Sequence, residues 1–212
     1  EPIGAVFGSR KGCEPLHIQY NPLTHATEIV NRTGHDLGQL TAISRLLDIN
    51  GKQLKEAGTK VTVNEDTTVE AVTPSIPEGY TGVYFIEQKL LDRKGKVLST
   101  NFYVQSTEPY VYTDLNSLSP ATVRVTASKP RSKGNSCSME VTLRNISKVP
   151  AMLLRLNLLD ADGDQVLPVN YSDNYIHLMP GRTATVTVEW DIADTRSETN
   201  PTVALTGFNL AK

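Results

Sequence analysis

Residues 183–190 read Thr-Ala-Thr-Val-Thr-Val-Glu-Trp, and this alternation fixes the local backbone. In an extended chain Ala184, Val186, Val188 and Trp190 share one face, and Thr183, Thr185, Thr187 and Glu189 share the other. A period of two with one apolar face is the pattern of a half-buried strand. Met139, Val141 and Leu143 alternate in the same way with Ser138, Glu140 and Thr142, as do Leu154, Leu156 and Leu158 with Arg155 and Asn157. Segments 59–63, 67–72, 82–91 and 102–104 are rich in β-branched and aromatic residues, which pack well on a pleated surface, and 16–20 also reads as a strand. No run of ten or more residues keeps a 3.6-residue period, so the expected class is all-β.

Turns punctuate these strands at related places. Leu46-Leu47-Asp48-Ile49-Asn50-Gly51 is echoed by Leu90-Leu91-Asp92-Arg93-Lys94-Gly95 and by Leu158-Leu159-Asp160-Ala161-Asp162-Gly163. Asp bonds the turn backbone and Gly takes a positive φ, so three β-hairpins are expected. Above them stands a longer repeat. Ile29-Val30-Asn31-Arg32-Thr33 leads toward the first hairpin, and Leu143-Arg144-Asn145-Ile146-Ser147 leads toward the third. The chain therefore reads as two related β units. Pro109, Asn116, Ser117, Ser119 and Pro120 interrupt the pattern between them. The expected division is a first domain at 1–106, a linker at 107–120 and a second domain at 121–212. About seven short strands per unit of roughly 100 residues predict two tandem immunoglobulin-like β-sandwiches, without the Cys-Trp-Cys hallmark of antibody domains.

Composition excludes several classes. The 212 residues are too few for a complete (β/α)₈ barrel with anything attached, since such a barrel takes about 250. A net charge of −2 gives no concentrated positive footprint for nucleic acid. No apolar run approaches the roughly 20 residues of a membrane-spanning helix. Cys13 and Cys137 stand far apart in sequence and are expected to be free thiols. The chain opens at Glu1 with no charged segment leading into an apolar run, the pattern expected of an excised or processed fragment.

Chemistry-bearing patterns are sparse. His17, His25, His35 and His177 lack zinc-ligand spacing. There is no G-x-S-x-G elbow, and Gly4-Ala5-Val6-Phe7-Gly8 lacks the Lys and Ser/Thr of a phosphate loop. Asp160-Ala161-Asp162-Gly163-Asp164 has carboxylates for a hard cation, but Gly is fourth and Tyr171 stands where a calcium loop needs Glu. A solvated hairpin tip is the expectation there, and a solvated loop at 129–133. Asn31, Asn145 and Asn170 each open an N-x-S/T sequon. No cofactor and no metal are expected.

Two longer stretches carry more information. One is Phe7-Gly8-Ser9-Arg10-Lys11-Gly12-Cys13-Glu14-Pro15-Leu16-His17-Ile18-Gln19-Tyr20. The other is Val166-Leu167-Pro168-Val169-Asn170-Tyr171-Ser172-Asp173-Asn174-Tyr175, followed by Leu178-Met179-Pro180-Gly181. With Asn101-Phe102-Tyr103 and the closing Thr206-Gly207-Phe208-Asn209, they resemble the C-terminal part of glycoside hydrolase family 2 enzymes of the exo-β-D-glucosaminidase and β-mannosidase type. Val104 stands where that family often has Trp. The resemblance implies two sandwiches that follow a catalytic barrel, with residues 10–15 at the exit from it. It also implies a parent that is a retaining exo-acting β-glycosidase, periplasmic or secreted, whose catalytic glutamates lie in the barrel. No position here matches them, so this chain is expected to be non-catalytic. Its implied partner is the barrel of the same polypeptide, with no nucleic acid and no membrane. The loop of Tyr171, Asp173, Asn174 and Tyr175 is the candidate site, with two readings. Either its Asx side chains cap the loop's own backbone, or the loop docks on the barrel or its sugar cleft through the two tyrosines. A carbohydrate-binding module and an adhesion-type immunoglobulin module are the alternatives. The first needs an exposed aromatic platform, for which Tyr110 and Tyr112 in the linker are further candidates.

Overall fold

The computed structural model describes residues 2–195 and 201–211. They form two compact units, one of residues 8–117 and one of residues 118–212 together with 1–7. The chain begins with helix α1 (Gly4–Gly12), which periodicity does not reveal. Three glycines lower its intrinsic propensity, and Phe7 is its buried side chain. Residues 2–7 also depart from sequence order, because they belong to the second unit and Phe7 lies in its core.

The first unit contains β1 (Leu16–Tyr20), β2 (Thr27–Asn31), β3 (Gly38–Asp48), β4 (Gln53–Val63), β5 (Thr68–Ala71), β6 (Val83–Leu91) and β7 (Val97–Ser106). A 3₁₀ turn at Thr113–Ser117 follows. Sheet β1-β2-β5 faces sheet β4-β3-β6-β7, and every pairing is antiparallel. Ile18, Ile29, Leu40, Ala42, Val61, Val63 and Leu90 fill the space between them. A second cluster of Tyr20, Leu46, Tyr84 and Ile86 closes one end. Each large apolar side chain buried here contributes about 1.5–3 kcal/mol relative to exposure.

In the second unit the strands are β8 (Val123–Ala127), β9 (Arg131–Lys133), β10 (Ser136–Asn145), β11 (Ala151–Leu159), β12 (Val169–Tyr171), β13 (Ile176–Leu178), β14 (Thr183–Asp191) and β15 (Thr202–Thr206). One sheet runs β12-β14-β10-β8, with β9 also on β10, and the other runs β13-β11-β15. The alternating side chains read from sequence are its core: Met139, Val141 and Leu143 from β10, Leu154, Leu156 and Leu158 from β11, and Val186, Val188 and Trp190 from β14. The basic segment expected to be a loop is partly strand, since Arg131–Lys133 pairs with β10 while its side chains stay exposed.

The three Asp turns share one mechanism. Asp48 Oδ1 accepts from the backbone N–H of Asn50 and Lys52, Asp92 Oδ1 from Lys94 and Lys96, and Asp160 Oδ1 from Asp162 and Asp164. Gly51, Gly95 and Gly163 close the turns with φ of 79°, 81° and 84°. The longer repeat is built on two buried asparagines. Asn31 Nδ2 donates to the carbonyls of His35 and Asn64, while its Oδ1 accepts from the N–H and hydroxyl of Thr33. Asn145 does the same in the second unit, with the carbonyls of Val149 and Leu178 and with the N–H and hydroxyl of Ser147. Two of the sequons are therefore Asx caps, in which the Ser or Thr is the partner of the buried amide. The third, Asn170, is exposed and donates to Glu189.

Candidate functional site

The loop at 172–175 joins β12 to β13. Tyr171 lies on the inward face of β12 at 3% exposure, and its hydroxyl accepts from the Leu158 N–H at 2.9 Å. It is a core residue, not the exposed apolar contact that docking would require. Asn174 is buried too. Its Oδ1 accepts from the Leu156 N–H at 2.8 Å and its Nδ2 donates to the Leu156 carbonyl at 3.0 Å. The amide thus pairs with β11 as one more residue of a neighbouring strand would. Asp173 Oδ1 accepts from the Asn174 N–H at 2.8 Å. Tyr175 sits at φ 56°, in the left-handed region that costs a non-glycine residue energy. Its ring is half-buried against Phe7, with ring centres 5.9 Å apart. It also covers Gly4, where a Cβ would already touch the ring at 3.4 Å. Asp173 and Asn174 accept from the loop N–H groups of Asn174 and Tyr175, Asn174 also bonds Leu156 outside the loop, and the two tyrosines pack inside the unit.

Beside this loop a β-bulge interrupts the pairing of β11 and β13 between Ala151 and Leu154. Leu153 is pushed to φ 51°, and its N–H is taken by His177 Nδ1 at 3.1 Å. Only a neutral imidazole offers that lone pair. Burial lowers the His177 pKa from 6.5 to about 4. The folded pKa lies below the unfolded one, so the unfolded chain takes up the proton first as pH falls. The contribution is complete above pH 6.5 and is lost as pH drops toward about 4. For a ring that keeps some exposure, the expected loss is on the order of 2 kcal/mol. Chemical denaturation of the second unit across this range should show it, and His177→Gln, which keeps a neutral acceptor, should remove that part of the slope.

Two carboxylates come together in the first unit. Glu56 on β4 and Glu87 on β6 converge on Arg45 of β3, which hydrogen-bonds Glu56 and reaches Glu87 at 3.2 Å. The hydrogen bond to Glu56 raises the Arg45 pKa still further. The two carboxylates are thus both ion-paired to one guanidinium that lies between them. Near the start of β1, a groove lined by Glu14, Leu16, Thr33 and Val97 is bordered by the Lys11–Glu14 ion pair. No cluster of three or more His, Cys, Asp or Glu positioned for a metal occurs among the described residues. Cys13 and Cys137 are both free, one exposed and one buried. No described helix is long and apolar enough to cross a membrane.

Sequence reasoning missed a tyrosine assembly in the first unit, because its members lie far apart along the chain. The Tyr20 hydroxyl shares a hydrogen bond with His25 Nδ1 at 2.6 Å. The Tyr20 N–H donates to the Tyr103 hydroxyl, which also accepts from Asn101. Tyr80 stands edge-on to Tyr84 and donates to the Val83 carbonyl. Burial pushes the Tyr84 hydroxyl up to about 12, with Tyr20 and then Tyr112 adding to the shift.

The comparisons with known proteins place this architecture. Residues 101–210 match the family described as the exo-beta-D-glucosaminidase Ig-fold domain. The chain belongs to this family. It is similar to the exo-β-D-glucosaminidase of Amycolatopsis orientalis, 31% identical over 97% of this chain and 22% of that protein. It is also similar to the one from Hypocrea jecorina, 33% identical over 84% of this chain and 22% of that protein. The crystal structure of the Amycolatopsis orientalis exo-chitosanase CsxA superposes with a TM-score of 0.86 at 29% identity, over 99% of this chain and 27% of that one. This Ig-fold chain spans about a quarter of the length of these glycoside hydrolase family 2 relatives. Three asparagines of the motifs read from the sequence are backbone organisers. Asn101 donates to the Ile18 carbonyl, Asn174 pairs with Leu156, and Asn209 joins Ser119, Pro150 and Met152.

Proposed function

We propose that this Ig-fold chain is a non-catalytic accessory region of a retaining β-glycosidase that acts on β-linked glucosamine. Its role is to brace the catalytic barrel of the same polypeptide. The observation that carries the reading is the match of the whole architecture, in order, to about a quarter of exo-β-D-glucosaminidases. The residue chemistry supports it. The carboxylates that come together are pinned by Arg45, and the signature asparagines are spent on backbone. The test is hydrolysis of p-nitrophenyl β-D-glucosaminide, expected from the full reading frame and not from the 212-residue chain.

A further inference from the structure

Four loop segments of the first unit meet at one end of its sandwich. Asp48 at the close of β3 pairs with Tyr84 at the start of β6, and Tyr84 pairs with Gln105 at the close of β7. Tyr20, the last residue of β1, is hydrogen-bonded to Tyr103 near that same end of β7. Segments 21–26, 48–53, 72–82 and 107–117 therefore share this end.

The side chains they present to solvent are unusual. Leu23 is 90% exposed and Tyr110 is 93% exposed, with Val111 at 41% and Tyr112 at 39%. The segment carrying the last three is anchored on both sides. The Gly82 N–H donates to the Thr107 hydroxyl at 2.8 Å, and the Val83 N–H donates to Asp114 Oδ2 at 3.1 Å. Asp114 packs so closely on Gly82, at φ 96°, that a Cβ there would collide with it. Between the anchors Tyr110 holds φ 63°, a cost for a non-glycine residue that leaves its ring in solvent. The partly buried tyrosine assembly lies at this same end, and exposed His25 is bonded to it.

Charge at this end has one dominant sign. The four segments carry Asp48, Glu78, Glu108 and Asp114 against Lys52, and Lys55 of β4 reaches Ser75 at the same end, which leaves carboxylates in excess. Exposed tyrosine faces stack on the apolar faces of sugar rings and attract cations. Carboxylates interleaved with them favour a ligand that is itself cationic. The core of a protein–protein interface is instead depleted of charge.

We infer that this loop end binds glycan chains of the β-linked glucosamine class, whose rings each carry an ammonium. The sugar class rests on the glycosidase reading above; the site itself rests on the exposed tyrosines and their carboxylates.

The test is NMR titration of the 212-residue chain, at mildly acidic pH and low salt, with glucosamine oligomers and with their N-acetylated counterparts. Saturable shifts are expected in segments 21–26 and 107–117, with affinity for the amino form about tenfold higher. Tyr110→Asn removes the ring, and Asn accepts the left-handed backbone, so stability should hold while affinity falls about tenfold. Glu108→Gln should weaken binding severalfold and flatten its salt dependence. Equal affinity for the two oligomers, unchanged binding in Tyr110→Asn, or no shift in these segments would each overturn the inference. So would protection of 107–112 from exchange only in the full reading frame, which would mark the loop as a contact with the rest of the polypeptide. A parent that hydrolyses glucosaminides while this chain binds none ends the loop-end site and leaves the glycosidase reading standing.

Discussion

Asn145→Ala is expected to destabilise the second unit by about 4 kcal/mol, large for one side chain. The substitution strips donors from the Val149 and Leu178 carbonyls and an acceptor from the Ser147 N–H, all around a fully buried amide. Each buried group left without a partner costs about 1–3 kcal/mol. Asn145→Asp should fare no better, since a carboxylate would then face two carbonyl oxygens. Hydrogen exchange resolved by strand is the suitable measurement, with protection lost in β10, β11 and β14. Asn31→Ala should produce the matching loss in the first unit, in β2 and β3. Wild-type protection in the second unit of Asn145→Ala would show that the amide is dispensable.

Phe7→Ala should cost the same second unit about 3–4 kcal/mol, although Phe7 lies over a hundred residues away from it in sequence. Its ring is buried in the core cluster and packs at a tilt against Tyr175. The neighbouring Ala121, Tyr171 and Trp190 belong to the same cluster, and strands already fixed by their ladders cannot collapse into the space left. Phe7→Leu keeps most of the volume and should cost about 1 kcal/mol. Full protection of β10 and β14 in Phe7→Ala would place the N-terminal residues outside the second unit.

What the sequence discloses and what it hides follow a physical division. Alternation in 183–190 and the Asp-to-Gly spacings are local, and the structure returns them as β14 and as three turns with matching hydrogen bonds. Both copies of the Asn repeat are visible as letters, yet their work is done on carbonyls 4 and 33 residues away, which no local pattern announces. Helix α1 is hidden because its glycines leave no apolar stripe. Tyr171 reads like a loop contact because its neighbours are polar; pairing of β12 with β14 turns it inward. The exposure of Tyr110 and Leu23 at one end depends on strand register, which brings together segments more than eighty residues apart.

The division of labour between this chain and a catalytic barrel is tested most directly by assaying p-nitrophenyl β-D-glucosaminide with two proteins side by side, the 212-residue chain and its full reading frame. The expected result is turnover by the full-length protein and none above the buffer blank by the chain. Turnover by the chain alone, abolished by replacing one of its own carboxylates, would contradict the account.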